Sequence, residues 1–175
     1  MAKLLYHITM SLDGFVAGPA DDMSWLAGQF SGPNPVVERL LAGIGAVLLG
    51  HHTYAPATSA EGEVYGGRWQ GPKFVLTRDD PATAQPGFTF VDDLGAAVAT
   101  ASKAAGDGYV ALLGATLARR CLEAGLLDEV LVHVVPVLLG DGVRLFDHPG
   151  GTRVRLDPIE LSHAGRISNI WCRVA

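Results

Sequence analysis

Ile44-Gly-Ala-Val-Leu-Leu-Gly-His-His-Thr-Tyr54 is the stretch from which the rest of the chain can be read. Ala46 to Leu49 is an apolar run as long as one buried parallel strand. Gly50 breaks it, two histidines follow, and helix signal resumes at Thr53. A strand that ends in glycine and hands over to a helix start aims backbone N–H groups at one point, which suits a phosphate. The expectation is an anion site at Gly50, His51, His52 and Thr53.

Upstream, Lys3 to Ser11 reads as a first strand that ends in the turn Ser11-Leu-Asp-Gly14. Phe15 to Ser31 shows no clear period and reads as a long binding loop carrying Trp25 and Phe30. Pro35 to Ala42 is a short helix with Asn34 as cap and Pro35 at its first position. Downstream, Ala57 to Gly71 is rich in Gly and Ser, and Gly62, Gly66 and Gly67 mark a mobile loop. Lys73 to Thr77 and Phe88 to Val91 are strands. Asp93 caps a helix from Leu94 to Ala105 that Gly106 ends. Tyr109 to Leu113 is a buried strand, and a helix runs from Thr116 to Ala124. Glu129 to Leu139 reads as one long strand with a bulge or edge at Pro136. Val154 to Ser162 and Ile167 to Val174 alternate as a hairpin. Strands alternate with helices and then finish alone, so the fold class is α/β: a mostly parallel sheet with a C-terminal antiparallel hairpin, in one domain over residues 1–175.

Composition narrows the function. Of 175 residues 49% are hydrophobic and 18% charged, which means a compact core and not a disordered chain. A net charge of -5 with no basic stripe argues against nucleic-acid binding, and Arg119-Arg120 reads as a solvated helix face. No apolar run is long enough for a bilayer, and the start is too polar for a signal peptide. Cys121 and Cys172 read as buried thiols in a reducing cytoplasm.

In an open α/β sheet, ligands bind at the carboxyl ends of strands. Three such ends carry phosphate-friendly groups: Gly50 to Thr53, Thr77-Arg78, and Gly114-Ala-Thr116. Helix-start amides suit a pyrophosphate, and Arg78 offers a fixed fork for a terminal phosphate, with Asp79 and Asp80 as its competing partners. The six histidines lack metal spacing, so no metal is expected; His7, His133 and His163 read as satisfied residues of the core or of an interface. Candidate catalytic residues are Asp13, at the mouth of the first strand, Trp25 and Glu38.

Ser11-Leu-Asp-Gly-Phe-Val-Ala17, Leu48-Leu-Gly-His-His-Thr-Tyr54, Val75-Leu-Thr-Arg78, Leu113-Gly-Ala-Thr-Leu117 and Gly125 to Phe146 together resemble the dihydrofolate reductase-like family. The nearer likeness is to the C-terminal reductase domain of the bacterial bifunctional riboflavin-biosynthesis deaminase-reductase, without its deaminase half. The resemblance implies a three-layer fold with helices on both faces of the sheet, and a reductase that takes hydride from NADPH. It implies that Phe15, Val16 and Ala17 line the nicotinamide, and that Gly50, His51, His52 and Thr53 hold the pyrophosphate side. Leu76, Thr77 and Arg78 would take the adenosine ribose and its phosphate. Gly114, Ala115, Thr116 and Leu117 would face the cofactor across the crevice, and Asp141 would brace the N-terminal loop. Relatives commonly carry Arg where His51 stands, which makes phosphate affinity weaker or pH-dependent.

Three readings follow from these residues. The first is an NADPH-dependent reductase of a small pteridine- or pyrimidine-like or carbonyl substrate, closed over by the Trp25–Phe30 loop. The second is 5-amino-6-(5-phosphoribosylamino)uracil reductase, with Arg39, Arg68 and Lys73 as further basic residues for a substrate phosphate. The third, from another class, is a non-catalytic nucleotide-binding module. A homodimer is expected from the apolar run Val130 to Leu139 and from the family.

Overall fold

The computed structural model describes residues 2–57, 63–78, 87–151 and 153–175. Within them the strands are β1 Lys3–Ser11, β2 Phe15–Ala17, β3 Ile44–Gly50, β4 Lys73–Leu76, β5 Phe88–Val91, β6 Tyr109–Leu113, β7 Glu129–Val135, β8 Val143–Arg144, β9 Leu156–Ala164 and β10 Ile167–Val174. The α-helices are α1 Pro35–Gly43, α2 His51–Ala57, α3 Leu94–Ala105 and α4 Ala115–Glu123. Eight strands form one sheet in the order β5-β4-β3-β6-β1-β7-β10-β9, and β2 pairs with β8 apart from it. From β5 to β7 every pairing is parallel; β10 enters antiparallel to both β7 and β9.

Side-chain alternation along each strand feeds two cores. Leu4, Tyr6, Leu48 and Leu112 point to α3 and α4, where they meet Ala97, Ala101, Leu117 and Cys121. Leu5, Val47, Leu49 and Leu131 point the other way, to Val36 and Leu40 of α1 and Tyr54 of α2. Burying a side chain such as Leu40 contributes about 2 kcal/mol. Helices therefore cover both faces, and the chain has the three-layer dihydrofolate reductase-like architecture. The caps follow the sequence: Asn34 Oδ1 accepts the Val36 N–H at 3.2 Å, and Asp93 Oδ1 accepts that of Ala96 at 2.8 Å.

Several boundaries differ from expectation. Residues 15–31 are not featureless, since Phe15–Ala17 pairs with Val143–Arg144 and 3₁₀ turns form at Pro19–Asp21 and Ser24–Leu26. Gly66 and Gly67 belong to a 3₁₀ turn, Val64–Gly67, anchored by buried Val64; Gly62, Asp79 and Asp80 lie outside the described residues. α2 starts at His51 rather than Thr53, α4 at Ala115 rather than Thr116, and the hairpin begins at Leu156 rather than Val154. β7 stops at Val135, before Pro136, where the chain turns to give the Val137 carbonyl to Leu12 N–H at 2.8 Å. β7 is interior, with Val130 to Val132 and Val134 serving the two cores, whereas Leu138 beyond its end is 71% exposed. Among the described residues no helix is long and apolar enough to cross a membrane.

Candidate functional site

Three of the parallel strands end together. Leu49 pairs with Leu113, and Gly50 with Leu76, so β3, β4 and β6 deliver their following residues to one rim of the sheet. Gly114 makes this meeting possible. Its φ is +112°, and a Cβ there would stand 2.6 Å from Thr53 Oγ1. The same crossing brings Gly50 to within 3.7 Å of Leu117 Cβ, measured from the position of its own absent Cβ. Nearby, His51 Nδ1 and Thr77 Oγ1 are 3.2 Å apart. α4 begins without a side-chain cap, which leaves its first N–H groups to a ligand or water. Residues from three separate strand ends are thus brought to one place.

Two hollows flank this rim. A cavity of about 360 Å³ is lined by Leu76, Thr77, Arg78, Asp92 and Arg120. One of about 340 Å³ is lined by Phe15, Ala115, Thr116, Arg119 and the turn Gly140 to Leu145. Arg119 and Arg120 are therefore not merely a solvated face. Arg120 lies one helical turn after Thr116, and that spacing was the signal that could have revealed it. Arg144 was also missed: its guanidinium carbon lies 4.5 Å from the Phe15 ring centroid, a cation–π contact. Val16 and Ala17 are buried beside Phe15 in β2. His52 is exposed, with its ring edge-on to His51 at 5.7 Å between centroids.

The candidate catalytic residues have other partners. Asp13 accepts from Ser11 Oγ at 2.6 Å, from Gly140 N–H at 2.7 Å and from Leu139 N–H at 3.1 Å. These bonds, that of Ser11 foremost, hold its carboxyl down at about 2. Asp13 is thus an ionised brace and not a proton donor near neutral pH. It fills the role expected of Asp141, whose carboxylate takes the N–H of its neighbour Gly142 at 2.8 Å. Glu38 forms an exposed ion pair with Arg68 at 2.6 Å. Arg39 pairs with Glu160, and Lys73 stands over the rings of Trp69 and Phe88, so the three basic residues expected at a substrate phosphate are engaged elsewhere. Trp25 is half-buried, its indole N–H without a hydrogen-bond partner among the described residues, whereas Phe30 is exposed. Cys121 and Cys172 are buried and free, and burial pushes the Cys121 thiol up to about 11. His133, read as a satisfied core residue, is one: it is 2% exposed and bonded to Asn169 and His7.

Solved structures of known proteins share this fold. The solved structure of a candidate riboflavin biosynthesis protein from Shewanella sp. PV-4 is 21% identical with a TM-score of 0.82, over 100% of this chain and 99% of that one. A deaminase/5-amino-6-(5-phosphoribosylamino)uracil reductase from Thermotoga maritima is 14% identical with a TM-score of 0.66, over 99% of this chain. This chain spans only 57% of that protein. Dihydrofolate reductase from Enterococcus faecalis, solved with NADP(H), is 13% identical with a TM-score of 0.65, over 98% of this chain and 96% of that one. Among curated proteins none matches. At these identities the structures share the fold; the family rests on a sequence model, that of the RibD C-terminal domain, which matches residues 2–167. With its strand ends, glycine crossing and N-terminal turn all inside that match, the chain belongs to the RibD C-terminal domain family.

Proposed function

We propose that this chain is an NADPH-dependent oxidoreductase acting on a small heterocyclic or carbonyl substrate. The observation that carries the reading is the crossing of Gly114 over Thr53. It packs the starts of α2 and α4 side by side, with a backbone passage that any side chain at position 114 would fill. The residues present fit the cofactor. Amides at the start of α4 and the hydroxyls of Thr53 and Thr116 suit a pyrophosphate. Arg78 and Arg120 line one cavity beside Thr77 and suit a ribose phosphate. Phe15, steadied by Arg144, offers an apolar wall for a ring. When bound, NADPH supplies a hydride; the protein orients the two reactants and excludes water.

The membership in the RibD C-terminal domain family favours a finer reading, 5-amino-6-(5-phosphoribosylamino)uracil reduction in riboflavin synthesis. Arg119 and Arg144 in the cavity beside Phe15 would then be the residues for a substrate phosphate. Fluorescence titration with NADPH and NADH tests the cofactor. Arg78→Ala and Arg120→Ala should each weaken NADPH and leave NADH nearly unchanged. Equal affinity for both nucleotides would remove the phosphate assignment, and binding without turnover of the pyrimidine would favour a non-catalytic module.

A further inference from the structure

A chain of hydrogen bonds crosses the sheet on the face covered by α1. The Val36 N–H donates to Asn34 Oδ1 at 3.2 Å. Asn34 Nδ2 donates to Asn169 Oδ1 at 3.0 Å, and Asn169 Nδ2 donates to Asn34 Oδ1 at 3.3 Å and to Ser162 Oγ at 3.2 Å. Asn169 Oδ1 also meets His133 Nδ1 at 2.7 Å. His133 Nε2 is 2.8 Å from His7 Nε2, and His7 Nδ1 is 3.2 Å from the Tyr65 hydroxyl.

One proton arrangement satisfies this chain with neutral rings. A backbone N–H can only donate, so Val36 fixes which end of the Asn34 amide is oxygen. The Asn34 NH₂ then turns the Asn169 oxygen toward itself and toward His133. His133 must carry its proton on Nδ1 and accept at Nε2. His7 must therefore carry its proton on Nε2 and accept at Nδ1, where Tyr65 donates. Neutral rings are what the surroundings favour: burial first, and His133 second, lower His7, while burial lowers His133 against the opposing bond to Asn169. The hydroxyl proton of Tyr65 points inward, and its remaining lone pair points away from His7.

Tyr65 stands at the rim described above. The Tyr6–Leu112 pair puts His7 level with Leu113, the last residue of β6. β1 runs on from there to Ser11. It is an interior strand, with Leu4, Leu5 and Tyr6 at most 4% exposed, yet His7, Ile8, Thr9 and Met10 are only half-buried. Ile8 and Met10 of this carboxyl half pack toward α3 and α4, so on the α1 side His7 and Thr9 are the residues left half-open, and Tyr65 stacks on His7 with ring centroids 5.5 Å apart. Tyr65 takes that position at φ 57°, in the left-handed region that side chains avoid.

We infer that Tyr65 is a specificity-determining acceptor of the proposed reductase: the recess on the α1 side of β1 takes a planar heterocycle through a ring N–H or amino group. Groups that only accept, such as a phosphate, are refused there. The occupant rests on the reductase reading, whereas the proton order does not.

Two measurements on the whole protein test this. Two-bond proton–nitrogen correlation spectra should show His7 protonated at Nε2 and His133 at Nδ1. The opposite wild-type tautomers would overturn the relay. For the ligand, 5,6-diaminouracil, rich in N–H donors, should bind the NADP+-loaded protein at least about tenfold more tightly than 1,3-dimethyluracil, which has none. Tyr65→Phe, which keeps the ring stack, should abolish that preference and leave NADP+ affinity within about twofold. Absence of diaminouracil binding, or a preference that survives in Tyr65→Phe, would overturn the acceptor role. Failure of NADP+ itself to bind would sink the reductase reading instead, with the spectra and a nucleotide-free titration still deciding Tyr65.

Discussion

His51 Nδ1 and Thr77 Oγ1 stand 3.2 Å apart, which ties the first residue of α2 to the residue after β4. The contact joins two segments 26 positions apart that were each read as phosphate-binding on separate grounds. An imidazole carries charge only when protonated, whereas a guanidinium always does. His51→Arg should tighten NADPH about five- to tenfold. Fluorescence titration checks this; equal affinity of variant and wild type would place His51 outside the phosphate site.

Gly114→Ala should damage cofactor binding before it damages the fold. A methyl group at this position meets the Thr53 hydroxyl, and φ +112° is strained for any residue with a Cβ. The strain costs about 1–3 kcal/mol, which a chain of this size can tolerate. NADPH affinity should fall by an order of magnitude or more. Adding Thr53→Ser, which removes a methyl but keeps the hydroxyl, should not restore it, whereas Thr53→Gly should do so in part. A Gly114→Ala protein that binds NADPH as wild type does would show that the crossing is not at the cofactor.

Acid should destabilise the protein in two stages. Burial, and then His133, push His7 down from 6.5 to about 3. The unfolded chain therefore binds more protons than the folded one below the ordinary histidine value, and stability falls as pH drops from about 6.5 toward 3. The Ser11 and backbone bonds to Asp13 lower its carboxyl from 3.8 to about 2, so its contribution is intact above 3.8 and lost between there and about 2. Melting temperature followed from pH 7 downward should begin to fall near the histidine range. His7→Gln should flatten the upper stage and Asp13→Asn the lower. A curve flat to pH 4 in the wild type would contradict the buried neutral histidines.

Glu129 should matter more for stability than its single charge suggests. It is 2% exposed, pairs with Lys3 at 2.8 Å, and accepts from Trp171 Nε1 at 2.8 Å and Tyr109 hydroxyl at 3.1 Å. Glu129→Ala leaves the buried Trp171 indole and the half-buried Tyr109 hydroxyl unmatched and should cost about 3 kcal/mol in urea unfolding. Lys3→Ala removes only a half-exposed partner and should cost about 1 kcal/mol or less. Similar losses for the two would show that the charge pair, and not the indole and phenol bonds, sets the effect.

The parts of the fold that sequence revealed are those set by neighbouring residues. α3 was found to the residue because Asp93 and Gly106 mark its two ends chemically. β7 was overrun because Val-Leu-Leu after Pro136 continues the apolar pattern, and only its pairing with β1 and β10 ends it. At the site, Thr53, Thr77 and Gly114 were visible as strand-end residues. Arg120 and Tyr65 were not, since their importance lies in what the fold places opposite them. His7 and His133 are 126 positions apart, and each alone looks like an unremarkable core residue. Alternation along β1 and β7 places them on one face, but only the register brings them diagonal to each other.

β10 is interior to the sheet although, of the sheet's eight strands, it comes last in the chain. On the ribosome, a nascent chain that has not yet delivered Ile167–Val174 presents β7 as an open edge. It also leaves Glu129 without Trp171 and His133 without Asn169. Such a chain needs shielding from self-association until synthesis reaches those residues, and the proton relay to Tyr65 is among the last features to form.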